Sequence, residues 1–173
     1  MKKISLLVAF LVVLLPVGLV AKDSRADDSL ARFDGGIGVV PVALAGGVGV
    51  ANTVRGVPPG GRPWVIADLK ADIDTDGRIR AEGRGLILGG GDSIGTPDGI
   101  TSVAASLFCD ANTVAFSSAS VPLSATGDFR IDDVLNPLPP VPCTTPVLLI
   151  RNGAGGAPGA WFAAGIPKRQ DND

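Results

Sequence analysis

One stretch of this sequence, residues 64–88, determines its own strand pairing. Thr75-Asp76-Gly77 is typical of a three-residue hairpin loop, which favours glycine at its last, left-handed position. Antiparallel pairing about this loop opposes four pairs of opposite charge: Asp74 with Arg78, Asp72 with Arg80, Lys70 with Glu82 and Asp68 with Arg84. A shift of one residue would set charged side chains against apolar ones. The stretch therefore predicts a hairpin with a charged face in a single register.

The other face of this hairpin is apolar, since Ile73 opposes Ile79 and Ala71 opposes Ala81. The 24 glycines and 14 prolines of the 173-residue chain indicate many turns, and the sequence contains no convincing amphipathic helix. About eight to nine short strand patterns follow one another along the chain, which is typical of sandwiches and barrels. The sequence predicts an all-β fold, a single antiparallel β-sandwich, with a small β-barrel as the alternative.

The chain begins with the features of a secretory signal. Lys2 and Lys3 precede an apolar run over residues 4–20, and Ser24-Arg25-Ala26 offers a cleavage site of the small-x-small type. An uncleaved membrane anchor is the alternative, because the run is long for a signal. We predict a signal peptide over residues 1–26, a flexible segment over 27–36, the β-sandwich domain over 37–167 and a polar tail over 168–173. The expected location is secreted or periplasmic.

Charge gives no reason to expect a nucleic-acid or membrane partner beyond the export signal. The whole chain has 15 basic and 17 acidic residues, and residues 1–26 carry four of the former and one of the latter. The remaining 11 basic and 16 acidic residues give a net charge of −5. An acidic domain with interspersed charges lacks the basic surface that binds polyanions.

Cys109 and Cys143 are the only cysteines in the chain. Exported proteins fold in oxidising compartments, so a structural disulfide is expected. A redox-active pair would need a C-x-x-C spacing or a neighbouring cation to lower a thiol pKa, and the sequence has neither. We therefore predict a structural disulfide between Cys109 and Cys143.

Several further strands follow from pattern. Residues 37–44 form a first candidate strand interrupted by Pro41, and residues 48–54 a weaker one after Gly46-Gly47. Ala125-Thr126-Gly127 predicts a second hairpin with Val121 opposite Ile131 and Leu123 opposite Phe129. Residues 147–150 form an apolar run predicted to be buried on both faces, and residues 161–165 the last strand.

The absence of histidine removes most enzymatic hypotheses. Gly91-Asp92-Ser93-Ile94-Gly95 matches the G-x-S-x-G pattern of a nucleophile elbow, but a serine there needs a base. Asp132 and Asp133 are the nearest approach to a catalytic carboxylate pair, yet adjacent strand residues point to opposite faces. We therefore predict a protein that is not an enzyme and has no cofactor.

Two ligand-binding hypotheses stay open as the alternative function. Asp72, Asp74 and Asp76 followed by Gly77 match the start of a calcium loop, but position twelve is Gly83 rather than a carboxylate. The charge pairs of the hairpin offer these aspartates other partners. Trp64, Trp161 and Phe162 suggest an aromatic platform for carbohydrate, although such residues more often pack a core.

Six segments together resemble a group of exported bacterial proteins whose function is not known. They are Arg55-Gly56-Val57, Pro63-Trp64-Val65-Ile66, Asp76-Gly77-Arg78-Ile79-Arg80, Gly127-Asp128-Phe129-Arg130-Ile131-Asp132-Asp133-Val134, Pro146-Val147-Leu148-Leu149-Ile150-Arg151-Asn152 and Trp161-Phe162-Ala163-Ala164-Gly165-Ile166. The resemblance covers residues 35–168. It implies a bacterial, exported, single-domain protein, and it implies no catalytic residue.

The predicted function is a non-enzymatic structural or interaction module of the bacterial cell envelope or exterior. Its expected partner is a protein or another envelope component. The glycine-rich loops over residues 89–99 and 153–159 are the predicted contact sites, because loops on a rigid scaffold carry most binding.

Overall fold

A computed structural model of the chain describes residues 28–111 and 113–168. These residues form thirteen strands: β1 (Ser29–Gly38), β2 (Val42–Ala45), β3 (Val48–Ala51), β4 (Trp64–Val65), β5 (Asp68–Asp74), β6 (Arg78–Arg84), β7 (Ile87–Leu88), β8 (Ser102–Phe108), β9 (Phe116–Ser117), β10 (Val121–Pro122), β11 (Phe129–Val134), β12 (Val147–Asn152) and β13 (Trp161–Pro167). This part of the chain has no helix that is long and apolar enough to span a bilayer. The predicted signal over 1–26 and the tail beyond Lys168 lie outside the described residues.

Nine strands form one curled, half-barrel sheet. Its order is β10-β8-β12-β13-β1-β5-β6-β11, with β9 also paired to β8, and all these pairs are antiparallel. The strands at the two ends of this order, β10 and β11, are neighbours in sequence. Ser117 of β9 also exchanges backbone hydrogen bonds of 3.1 and 2.9 Å with Asn136, just after β11. The all-β class is confirmed, and the curled sheet fits both the sandwich and the barrel.

The hairpin predicted from the charge pattern is formed in the predicted register. Asp72 of β5 lies opposite Arg80 of β6, and Ile73 lies opposite Ile79. Gly77 closes the loop at φ 82°, and its amide donates to the carbonyl of Asp74 at 3.0 Å. The same register continues beyond the main sheet, where β4 pairs with β7.

The core is one cluster of buried apolar side chains, and it includes those of the hairpin formed by β5 and β6. Leu69, Ile73 and Ile79 are fully buried. Residues 148–150 of β12 are buried on both faces, as predicted for an uninterrupted apolar run. Strand β8 is buried on both faces too.

The flexible segment predicted over residues 27–36 is wrong from Ser29 onward, because β1 lies between β13 and β5 in the sheet. Ala31 and Phe33 are buried in the core, which holds the strand in place. The first strand predicted over residues 37–44, with its interruption at Pro41, is divided between two different strands. Strand β1 ends at Gly38, and the chain then enters a separate two-stranded sheet made of β2 and β3.

The turn of the second predicted hairpin is confirmed, but the predicted pairing of its two strands with each other is wrong. The amide of Ser124 donates to the carbonyl of Asp128 at 2.9 Å, which closes the turn. Val121 then pairs with Val103 of β8, whereas Phe129 pairs with Gly83 of β6. The arms diverge because each completes a different edge of the curled sheet.

Gly83 of β6 allows β11 to pack closely beside it. A Cβ at this position would lie 2.2 Å from the ring of Phe129, so glycine leaves room for the ring against β6. The pairing of Phe129 with Gly83 therefore requires a residue without a side chain in β6.

Candidate interaction surface

The most unusual surface of the molecule is the apolar hairpin, defined here as residues 42–51, which form β2, a Gly46-Gly47 turn and β3. Its sequence, Val-Ala-Leu-Ala-Gly-Gly-Val-Gly-Val-Ala, has no charged side chain and no side-chain hydrogen-bonding group. Gly46 and Gly47 have φ values of 58° and 84°, as a type I′ turn requires. Val42 pairs with Ala51, and Ala45 pairs with Val48.

The apolar side chains of this hairpin are exposed on both of its faces. The exposed fraction is 79% for Leu44, 65% for Val48, 57% for Val42 and 41% for Val50. Val42 and Leu44 lie on one face of the two-stranded sheet, and Val48 and Val50 lie on the other. Val40, next to the hairpin, is 61% exposed. Neither face is therefore covered by the rest of the described chain.

The base of the hairpin is firmly held while its strands project. The amide of Asn52 donates to the carbonyl of Pro41 at 3.0 Å, and its side-chain amide donates to the carbonyl of Val40 at 3.0 Å. The indole of the buried Trp161 in turn donates to the carbonyl of Asn52 at 3.0 Å. Within the described residues, β2 and β3 pair only with each other, so both outer edges expose backbone N–H and C=O groups.

A second surface is the charged face of β1, β5, β6 and β11. Its ion pairs join Arg32 with Asp72 at 3.3 Å, Arg80 with Asp74 at 3.3 Å and Arg78 with Asp132 at 2.8 Å, and Arg130 also pairs with Glu82.

The strand register of this face is as predicted, but the ion pairs do not join the directly opposite residues. They join diagonal residues or residues on neighbouring strands, because β5 and β6 each have a further charged strand beside them. Exposed pairs of this kind stabilise by less than about 1 kcal/mol each. They form a solvated face.

The three aspartates of the calcium hypothesis each have a partner within the protein. Asp72 and Asp74 belong to the ion pairs above, and the Oδ1 of Asp76 accepts the backbone N–H of Arg78 at 2.9 Å. Across residues 28–111 and 113–168, no three Cys, Asp or Glu side chains are placed to hold a metal ion. The geometry therefore adds no support to calcium binding.

The aromatic residues of the carbohydrate hypothesis are buried. Trp64 and Phe162 stack with ring centroids 4.2 Å apart and an interplanar angle of 27°. Trp64, Trp161 and Phe162 are each 5% exposed or less. They close the core beneath Gly60, where a Cβ would lie 2.9 Å from the ring of Phe162. Their faces do not form an exposed platform.

The residues considered for catalysis also serve the fold. The carbonyl of Ser93 accepts the hydroxyl of Thr96 at 2.9 Å within the loop over residues 89–99. Asp132 pairs with Arg78, whereas Asp133 Oδ2 accepts the amide of Ala119 at 2.7 Å. These two carboxylates thus reach different partners, as expected for adjacent strand residues.

The loop over residues 153–159 is tied to the sheet by Arg151. Its Nε donates to the carbonyl of Gly159 at 2.7 Å, its Nη2 donates to the carbonyl of Pro158, and its Nη1 donates to Ser106 Oγ at 3.2 Å. Burial lowers the pKa of the Arg151 guanidinium from its usual value. This arginine acts as a clamp between the loop and the sheet.

Cys109 and Cys143 form a disulfide with their Cα atoms 4.9 Å apart. Both residues are buried, so the bond fastens the segment around residue 143 to the end of β8. A structural disulfide is compatible with an extracellular or periplasmic protein.

The fold and the surfaces define an all-β protein with one curled antiparallel sheet, one disulfide and a projecting apolar hairpin. Comparison with protein-family models, with curated proteins and with solved structures finds no match. The resemblance to exported bacterial proteins therefore stays a prediction.

Sequence reasoning missed the apolar hairpin as a surface. It identified strand candidates on both sides of Gly46-Gly47 but did not consider that both faces would be exposed. No charged residue occurs between Asp34 and Arg55. This uncharged run does not identify the hairpin by itself, because residues 35–38 of the same run belong to β1 in the main sheet.

Proposed function

We propose that this protein is an exported, non-enzymatic interaction module of the bacterial cell envelope or exterior, and that the apolar hairpin is its binding element. The observation that carries the proposal is the exposure of Val42, Leu44, Val48 and Val50 on a hairpin whose base is hydrogen-bonded to the buried Trp161 of β13. A rigid base with an apolar projection is suited to recognition by burial.

The size of the exposed apolar area supports this function. The four large side chains expose on the order of 400 Å² in total, divided between the two faces of the hairpin, and apolar side chains grouped in this way mark interaction sites more often than apolar residues scattered singly over a surface. Burying this area in a partner would provide about 10 kcal/mol before the costs of association. The two glycine-rich loops stay predicted contacts, and the hairpin is the stronger candidate because it combines apolar area with free strand edges.

The disulfide and the charged face support the proposal of an exported protein. A disulfide that closes a long loop is suited to an oxidising compartment outside the cytoplasm. The charged face, with its ion pairs, keeps one side of the molecule soluble while the hairpin is presented by another part of the fold.

The test is a capture experiment with the tagged full chain and a cell-envelope fraction, followed by identification of the bound proteins by mass spectrometry. We expect the double variant Leu44→Lys/Val48→Lys to lose capture by at least about tenfold, since buried lysines would have no partner. The matched control is Val134→Lys, because Val134 is also exposed, at 50%, but belongs to β11.

Equal capture by wild type and by the double variant, with both melting at the same temperature, would contradict the role of the hairpin. Shortening the loop over residues 89–99 or 153–159 tests the other predicted contacts in the same assay. If loss of capture followed either loop and not the hairpin, the binding element would be that loop.

A further inference from the structure

We propose that a pocket between the loop over residues 60–63 and the adjoining ends of β12 and β13 is a binding site for a small carboxylate with an apolar body. The pocket has a volume of about 420 Å³, which lies within the range of small-molecule sites. Its lining includes Arg62, Trp64, Ile100, Asn152 and Phe162. It shares no residue with the apolar hairpin, so this inference goes beyond the proposed function.

The first observation is an indole N–H group without an acceptor. Trp64 is 5% exposed, and its Nε1 donates no hydrogen bond to any of the described residues. The Nε1 of Trp161, by contrast, donates to the carbonyl of Asn52 at 3.0 Å. A buried tryptophan usually has such a partner, so the indole N–H of Trp64 is a donor that the fold itself does not use.

The position of Gly60 places this donor at the wall of the pocket. A Cβ on Gly60 would lie 3.1 Å from the Nε1 of Trp64 and 2.9 Å from the ring of Phe162. Glycine therefore allows the loop to approach the edge of the indole. Because Gly60 and Trp64 both line the pocket and the Nε1 is not sealed within the core, this N–H group is available to a bound molecule.

The other polar side chains of the pocket also offer donors. Asn152 Oδ1 accepts the amide of Ala154 at 3.0 Å, so the two N–H groups on its Nδ2 are left without an acceptor in the described part of the chain. Arg62 pairs with Asp98 through Nη2, and its guanidinium has further N–H groups to donate. No acidic side chain is among the described residues that line the pocket.

This set of donors selects a ligand that accepts hydrogen bonds. A carboxylate has two oxygens that accept several hydrogen bonds at once, and it forms its strongest ones with a guanidinium such as that of Arg62. An ammonium group, which only donates, would find no free side-chain acceptor. Ile100 and Phe162 contribute apolar surface to the same pocket, so the rest of the ligand is expected to be apolar.

The pocket lies where the two glycine-rich loops meet the sheet. Ile100 directly follows the loop over residues 89–99, and Ala160, which also lines the pocket, directly follows the loop over residues 153–159. The first loop is held beside the pocket by a hydrogen bond of 2.9 Å from the amide of Gly89 to the carbonyl of Pro63. Loops that are fixed on a rigid scaffold are a common place for ligand binding.

The test is a proton–nitrogen correlation spectrum of the isotope-labelled full chain, in which the two tryptophans give two indole signals. Trp64→Phe assigns them by removing one. We expect phenylacetate to move the Trp64 signal downfield and to saturate it with a dissociation constant of about millimolar order, while the Trp161 signal moves less. Benzylamine has the same ring with an ammonium group in place of the carboxylate, and it should move neither signal.

A substitution in the pocket tests the role of Asn152. Asn152→Asp keeps the acceptor for the amide of Ala154 but replaces the two donors with a negative charge, so it should weaken phenylacetate binding by at least about tenfold. Asn136→Asp, which makes the same change outside the pocket, is the matched control and should bind as wild type does. Thermal melts show whether both variants are folded.

The comparison of phenylacetate with benzylamine on wild type needs no substitution and decides the inference by itself. A Trp64 signal that stays in place with phenylacetate, or that moves equally with benzylamine, would overturn it. Unchanged affinity in a folded Asn152→Asp variant would do the same. Leu44→Lys/Val48→Lys should bind phenylacetate as wild type does, so the result is independent of the role proposed for the hairpin.

Discussion

Removing the disulfide should destabilise the protein by about 4 kcal/mol. Cys109 and Cys143 are 34 residues apart in sequence. In the chain-entropy model, opening a loop of this length returns about 13 cal/mol/K to the unfolded chain, which is about 4 kcal/mol at 25 °C. Because small domains have about 5–15 kcal/mol of stability, this is a large part of the total.

The assay is equilibrium urea unfolding of the double variant Cys109→Ala/Cys143→Ala in the full chain. Wild type treated with reductant is the matched control and should lose a similar free energy of unfolding, whereas reductant should not affect the variant. A loss below about 1 kcal/mol would refute the entropic reasoning. It would mean that neighbouring contacts, such as the 2.7 Å hydrogen bond from the amide of Asp110 to the carbonyl of Thr144, persist in the unfolded chain.

Three further predictions concern single residues. Gly77→Ala should lower the free energy of unfolding by about 1–2 kcal/mol in urea, because φ is 82° and the new Cβ would lie 2.7 Å from Leu138 Cδ2. The control is Gly46→Ala, which has φ 58° and open space around it and should lower the free energy of unfolding by less. Arg151→Met should cost about 2 kcal/mol and accelerate amide exchange in the loop over residues 153–159, since three hydrogen bonds are lost; unchanged exchange would contradict the clamp. The pKa of Asp128 is lowered mainly by hydrogen bonds from Thr126 and from the amide of Gly85. Its ionised form therefore stabilises the fold above its ordinary pKa, and this contribution is lost as the pH falls through the lowered value. Asp128→Asn should flatten the acid side of the stability profile, and an unaltered profile would exclude this contribution.

The hairpin of β5 and β6 could be predicted because all its information is local. Opposite charges such as Asp72 and Arg80, together with a glycine loop, exclude every neighbouring register. The Cys109–Cys143 bond was predictable for a similar reason, because only two cysteines exist. The buried strand β12 followed from its uninterrupted apolar run.

The errors share a different cause, which is competition between distant partners. The turn closed by Ser124 and Asp128 was predictable, yet its arms separate because Val103 and Gly83 lie on two different edges of the curled sheet. The sequence of β1 predicts a flexible segment because its polar residues obscure the burial of Ala31 and Phe33. The strands with which β1, β10 and β11 pair are distant in sequence, so a local pattern cannot show which of them each strand joins.

The apolar hairpin could be predicted only in part from the sequence. The sequence placed glycines and apolar residues on both sides of position 46, and this is sufficient to predict two strands. It could not show that Val42, Leu44 and Val48 stay outside the core, because the strand pattern of apolar residues does not say which of them the assembled fold will cover.

The all-β class, the register of the central hairpin and the disulfide follow from the amino-acid sequence, because each depends on residues whose partners are given by their spacing. The strands that complete the edges of the curled sheet, and the apolar segment that stays outside it, follow from the folded molecule. Burial is a property of the assembled sheet and not of any one segment. Residues such as Leu69 and Ile150 are buried in the core of that sheet, whereas the hairpin over residues 42–51 has both of its faces exposed.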